Sequence, residues 1–242
     1  MSSSVTAGPI GYQQISPFNL PDTTARQLPG TIVTASDNYW GGGEFMYVKA
    51  NGSIRQFGLV VLTQTFASGQ VVYNATEVPN TANLGRTLGV AMVAASSGQF
   101  LWVCIGGVVP VNCSASVAAD ATFGIAAAGQ GGANSAGKQI LNARVVVAAS
   151  QTVAKSNCTA NSGSTRLLVP STDGWFAGAY LSGTGIAAGT TVSDIDPSGT
   201  IVTLSAATTA AVAGTVTATY NNATVYYNIA HINRPFAQGA IT

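Results

Sequence analysis

From Thr31 almost to its end, the chain is written in short runs of Val, Ile, Phe, Tyr and Thr. Each run is cut within a few residues by Gly, Asn or Ser. That pattern leaves little choice of fold. β-Branched and aromatic side chains suit a pleated sheet, and Gly, Asn and Ser supply the turns that end a strand. The alanine clusters Ala126–Ala128 and Ala206–Ala211 are flanked by Gly or Thr and are too short to stand as helices. The sequence therefore predicts an all-β protein with a sandwich- or barrel-like main domain over residues 31–150. Strands are predicted at Thr31–Ala35, Glu44–Lys49, Gln56–Leu62, Gln70–Asn74, Thr87–Val93, Phe100–Ile105, Val108–Asn112 and Gln139–Val147. Phe100–Ile105 is apolar at nearly every position, as in a central strand buried on both faces. Gly106-Gly107 after it reads as a tight hairpin turn.

The rest of the chain divides around this domain. Residues 1–30 hold Pro9, Pro17, Pro21 and Pro29 among polar residues without a helix or strand period, and read as an extended arm with little to rest on in its own domain. Near Ser150 the composition shifts, and residues 151–222 read as a second, small Thr/Gly-rich, β-sandwich-like domain. Its clearest element is a hairpin around Asp196-Pro197-Ser198-Gly199, a type I turn signature. The tail, residues 223–242, is read as a strand returning to the main domain, which makes the second unit an insertion.

Charge narrows the function. Only 7% of residues are Asp, Glu, Lys or Arg, against about 25% in an ordinary soluble protein. The formal net charge is +1 with no basic run, which argues against nucleic acid and anionic membranes as partners. No segment reaches the roughly 18 apolar residues of a membrane helix. Near-zero net charge gives a free protein little repulsion and favours association. The start, Met1–Val5, shows no basic and apolar secretory signal. Cys104, Cys113 and Cys158 are odd in number and lack CxxC spacing, so reduced thiols from a chain made in a reducing cytosol are expected.

Catalytic chemistry is sparse. His231, the one histidine, falls in strand alternation. Asp194 and Asp196 lie two apart on a strand, but Asp196 is taken by its turn, and neither a glycosidase pair nor a calcium loop is completed. Gly183–Gly189 has the wrong spacing for a nucleotide loop and no helix follows; Gly41-Gly42-Gly43 lacks the Lys and Ser/Thr of a P-loop. No catalytic, cofactor or metal residue is predicted. Trp102 reads as core, while Trp40 and Trp175, beside glycines, read as contact surfaces.

Two stretches carry a resemblance. The order Asp37–Lys49, Leu88–Met92 and Gly98–Gly107 resembles capsid decoration, or cement, proteins of tailed bacteriophages. Val169–Tyr220, with Asp173–Gly178 and Gly183–Thr190, is similar to a small β module of phage surface proteins, fibres included. The resemblance implies a non-enzymatic virion protein on the outer capsid surface. Its partners would be the major capsid protein and its own copies, commonly as trimers seated on capsomer junctions. The alternative is a tail fibre or adhesin subunit binding host glycan, with Trp175 at its surface; a depolymerase and a cellular extracellular β domain are the lesser rivals. Predicted assembly contacts are Pro9, Pro17, Phe18, Pro21, Tyr39 and Trp40 near the N-terminus, and Arg234, Pro235 and Phe236 in the tail.

Overall fold

A computed structural model describes residues 4–7, 18–37, 41–67 and 69–240. Strands dominate, and no helix occurs among the described residues, so the chain is all-β. It divides into two compact units, one of Ser3–Ala148 with Val225–Thr242, the other built on Ala149–Thr224.

The large unit contains β1 (Ser4–Ala7), β2 (Ile32–Asp37), β3 (Gly41–Ala50), β4 (Leu59–Ala67), β5 (Gln70–Glu77) and β6 (Leu88–Ala91). It continues with β7 (Phe100–Cys113), β8 (Phe123–Ala127), β9 (Gln130–Ala133) and β10 (Ile140–Val147). The small unit has β11 (Thr152–Ala160), β12 (Arg166–Leu168), β13 (Tyr180–Ser182), β14 (Val192–Ile195), β15 (Ile201–Leu204) and β16 (Val212–Thr219); β17 (Tyr226–Ala237) belongs to the large unit again.

Strand pairing closes a ring in the large unit. β3 pairs with β5 in parallel, β5 with β4, β4 with β6, β6 with β7, and β7 with β3, the last four antiparallel. Alternation sends one set of side chains into this ring. Val48, Ala50, Val60, Ala75, Ala91, Leu101, Val103 and Ile105 form one buried cluster with Ile54, Val93 and Ala95. The opposite face of β3 and β7 carries Phe45, Tyr47, Trp102 and Cys104, also buried. This explains the unbroken apolar run of β7: one face fills the ring, the other lies under a cover.

That cover comes from the segment read as a free arm. Phe18 is fully buried, stacked on Phe45 at 4.4 Å and edge-on to Trp102 at 5.6 Å. Asp22 and Phe100 exchange both backbone hydrogen bonds at 2.8 Å. The Tyr47 hydroxyl donates to the Asp22 carboxylate at 2.6 Å, and Arg26 Nε lies 3.0 Å from its other oxygen. Residues 18–30 are thus a strap across their own domain, and β1 pairs antiparallel with β2. The expectation of an arm with nothing to rest on fails here because the aromatic outer face of β3 and β7 supplies the missing apolar surface.

The predicted Gly106-Gly107 hairpin is also corrected. β7 runs straight through as one strand of 14 residues. Gly106 pairs with Glu44 of β3 and with Asn233 of β17, so the glycines mark the place where one neighbour gives way to the next. A Cβ on Gly107 would stand 2.9 Å from the Gly42 carbonyl oxygen, and its φ of +121° suits glycine.

In the small unit one antiparallel sheet runs β13-β16-β11-β12-β15-β14. Its ends meet through Gly178 N–H to Val192 O at 2.8 Å, Val192 N–H to Ala179 O at 2.9 Å and Leu181 N–H to Thr190 O at 2.8 Å. The second unit is a closed ring as well. The hairpin around Asp196 forms as the turn signature requires: Gly199 N–H reaches Asp196 O at 2.9 Å.

Candidate assembly surface

Closing a sheet removes the unpaired edges through which β proteins most readily add foreign strands. The small unit therefore offers a partner its side-chain surface, whereas the sheet of the large unit extends beyond its ring to end strands β1 and β10 and carries the β4–β5 overhang, whose strands pair there only with each other. The most apolar protrusion among the described residues is the hairpin of β4 and β5. β4 pairs with β6 only over Leu59–Val61, and β5 with β3 only at Asn74 and Ala75, whereas β4 and β5 pair with each other out to Ala67 and Gln70. The hairpin therefore overhangs the ring. Burial falls away along it, from Val60 at 0% exposure to Phe66 at 78% and its cross-strand partner Val71 at 50%.

Leu62 and Phe66 alternate on one face of β4, opposite Tyr73 and Val71 on β5. Met46, Leu62 and Tyr73 are half-buried and rest against the core cluster. They line a cavity of about 550 Å³ with Thr63, Gln64, Gly85, Arg86, Thr87 and Phe236. An apolar strip thus leaves the ring interior at Met46 and Leu62 and continues onto the hairpin at Val71 and Phe66. From Gln56 to Thr76 the chain has no charged residue.

The predicted contacts fall in different places. Pro9, Pro17, Tyr39 and Trp40 lie outside the described residues. Phe18 is core, which corrects its reading as an assembly contact; Pro21 is half-buried in the strap. The tail is secured within its own unit: Ala237 N–H bonds to Arg86 O and Gln238 N–H to Gln139 O, each at 2.9 Å, and Gly85 N–H to Gln238 O at 3.2 Å. Its backbone is consumed, so a free tail strand is not available. Arg234, in the left-handed region at φ +48°, sits in a bulge between the two stretches of β17 that pair with β10, and its guanidinium meets Glu44 at 2.8 Å. Pro235 is buried. Phe236 alone of these joins the cavity, at 37% exposure.

Trp175 is corrected outright. It is fully buried, with Nε1–H donating to Val153 O at 3.0 Å. Gly174, at φ +78°, turns the chain so that Trp175 and Phe176 enter the small ring, and the Tyr220 hydroxyl holds the Gly174 carbonyl at 2.6 Å. The glycine that suggested a surface loop is what lets the indole go inside.

Sequence reading missed Phe66 by leaving Thr63–Gly69 between two predicted strands, and placed Val71 in the strand Gln70–Asn74 without marking it as a contact. The signal was present: Leu62, Gln64 and Phe66 alternate up to Ser68-Gly69, a two-residue turn pair, and Gly69 has φ +79°.

The candidate chemical groups are spread over both units. His231 is an exposed ladder residue opposite Val108 and Arg144. The three cysteines form no disulfide and are buried, and burial pushes the Cys113 thiol up to about 11, far from a reactive thiolate. Asp194, Asp196 and Arg166 line a shallow polar depression of about 500 Å³. Asp196 accepts the Ser198 N–H at 2.9 Å, a bond that holds its carboxyl below the usual range. Among the described residues no group of three His, Cys, Asp or Glu could hold a metal ion. No protein-family model, no curated protein and no solved structure matches this chain.

Proposed function

We propose that this chain is a structural virion protein that decorates the outer surface of a tailed-phage capsid and stabilises the seams between capsomers. It acts by adding buried area, without an enzymatic step or cofactor, and its partners are the major capsid protein and its own copies. The observation that carries the reading is the overhanging hairpin of β4 and β5, with exposed Phe66 and Val71 in a stretch free of charge. An exposed apolar patch on a stable body marks a contact surface. Absence of charge there removes the desolvation cost that charged groups impose on a tight seam. The composition and the resemblance of Asp37–Lys49 and Gly98–Gly107 point the same way.

The test is to add purified chain to capsids lacking it and to image them by cryo-electron microscopy. Density repeated over the whole shell is the expected result, with Phe66→Ser lowering its occupancy at least tenfold. Density confined to the tail would place the chain among fibres, and no binding at all would overturn the proposal.

A further inference from the structure

The chain contains one Asn-Gly pair, Asn51-Gly52, and the fold leaves it in an unusual position. Ala50 ends β3 as a buried member of the ring core, and Ile54 is buried in the same core. Ile54 is pinned to Ala95 by two backbone bonds, at 2.8 and 2.9 Å, and Ala50 N–H bonds to Gln99 O at 2.8 Å. The segment Asn51–Ser53 is thus a short surface bridge between two core anchors. Asn51 is exposed, and its own N–H is fixed to Ala75 O at 2.8 Å. Gly52 has φ +131°, and no atom lies within 4 Å of the place a Cβ would occupy.

We infer that Asn51 is a site of spontaneous backbone modification by succinimide formation. The Gly52 amide nitrogen gives up its proton and attacks the Asn51 side-chain carbonyl carbon. A new C–N bond closes a five-membered ring, and the side-chain nitrogen leaves as ammonia, carrying the proton. Water then opens the ring at either carbonyl, giving aspartate or isoaspartate. Glycine is what permits the attack, because no side chain shields its nitrogen. Asn134-Ser135 and Asn161-Ser162 are exposed too, but each following residue carries a side chain.

The consequence is local and directional. Each conversion replaces a neutral amide with a carboxylate, so the formal charge of +1 falls to zero. The isoaspartate product also adds one backbone atom between Ala50 and Ile54, both of which the core holds in place. The bridge must then buckle or Ile54 must leave its seat, so the site acts as a timer that loosens this end of the ring as the protein ages.

The experiment incubates the folded full chain in heavy-oxygen water at mildly alkaline pH and follows it by peptide mapping and isoaspartyl-specific methylation. The expected result is label at Asn51 well before any at Asn134 or Asn161, with thermal stability falling in step with isoaspartate content. Asn51→Gln, which would need a larger ring, abolishes the label while leaving Gly52 untouched. A folded chain that stays unlabelled while a peptide spanning Asn51 converts would overturn the inference, as would equal labelling at the three asparagines.

Discussion

Both units are built on closed rings, yet they present opposite surfaces. The large ring is covered from outside by a strap distant in sequence, and the surface of its unit carries Leu20, Leu28, Ile32, Phe66, Val71, Leu141, Val146 and Phe236 as exposed apolar side chains. In the small ring Leu168 is the only such residue among those described. It is plugged from within by its own Trp175 and Phe176 and turns Ser and Thr outward, as along Thr152–Ala160. Closure by itself therefore does not decide what a β unit is for. The capacity for tight, dry contact lies in the large unit, and the small one is a polar module whose aromatics are spent on its own stability.

The largest effects should come from emptying the large ring's cover and the small ring's plug. Phe18→Ala and Trp175→Ala each remove a fully buried aromatic and should destabilise their own unit by about 3–5 kcal/mol. Denaturant unfolding, with probes placed separately in each unit, should show Phe18→Ala weakening the large ring and Trp175→Ala the small one. If Phe18 instead served a neighbouring copy, its removal would leave the isolated chain unchanged. If Trp175 served a ligand surface, Trp175→Ala would leave the small ring's transition in place.

These two residues also show what was legible in the sequence. Period-two alternation and turn chemistry located nearly every strand of the large ring and the Asp196 hairpin, because those signals are local. The strap was illegible: Phe18 finds its partners at Phe45 and Trp102, far along the chain, and proline-rich composition says only that the segment is extended. Gly106-Gly107 and Gly174 misled for a shared reason. A glycine reports that the backbone needs room or a positive φ, and that need arises at a strand exchange or a buried plug as readily as in an exposed turn. The hairpin carrying Phe66 was within reach of the Ser68-Gly69 signal, but its overhang depends on where β3 and β6 stop pairing, which no local pattern records.

A smaller effect should follow from the lock on the strap. Tyr47→Phe removes the hydroxyl that donates to buried Asp22 at 2.6 Å and leaves that oxygen without its donor. The expected loss is about 1–3 kcal/mol in the large ring alone. It is measurable as a shift in the denaturant midpoint at unchanged slope. Asp22→Asn with Tyr47→Phe should cost less than the sum of the two single changes, because each removes the other's partner.

Alkali should then act on the small ring. Burial raises the Tyr180 and Tyr220 hydroxyls above the ordinary tyrosine value. A raised folded-state pKa contributes stability in full below the unfolded value of about 10, and that contribution is lost as pH rises through the folded value. The small unit should lose stability in this window, and Tyr220→Phe should flatten the loss by removing one of the two titrations. A pH profile that is the same for wild type and variant would show that burial does not raise the Tyr220 hydroxyl.

The faintest effect belongs to Asp196, whose carboxyl is lowered chiefly by the Ser198 backbone N–H and is fully exposed. A lowered carboxyl adds stability above its unfolded value, and the contribution disappears as pH falls through the folded one. Solvent screens an exposed group, so acid should shift the small ring's midpoint only slightly. Asp196→Asn, which keeps a side-chain acceptor for the Ser198 N–H but cannot titrate, should remove that slight acid dependence while preserving the turn. A large acid effect in wild type that vanishes in Asp196→Asn would mean that the depression beside Arg166 and Asp194 holds more electrostatic energy than a turn requires. The small ring would then no longer be the merely polar counterpart of the large one.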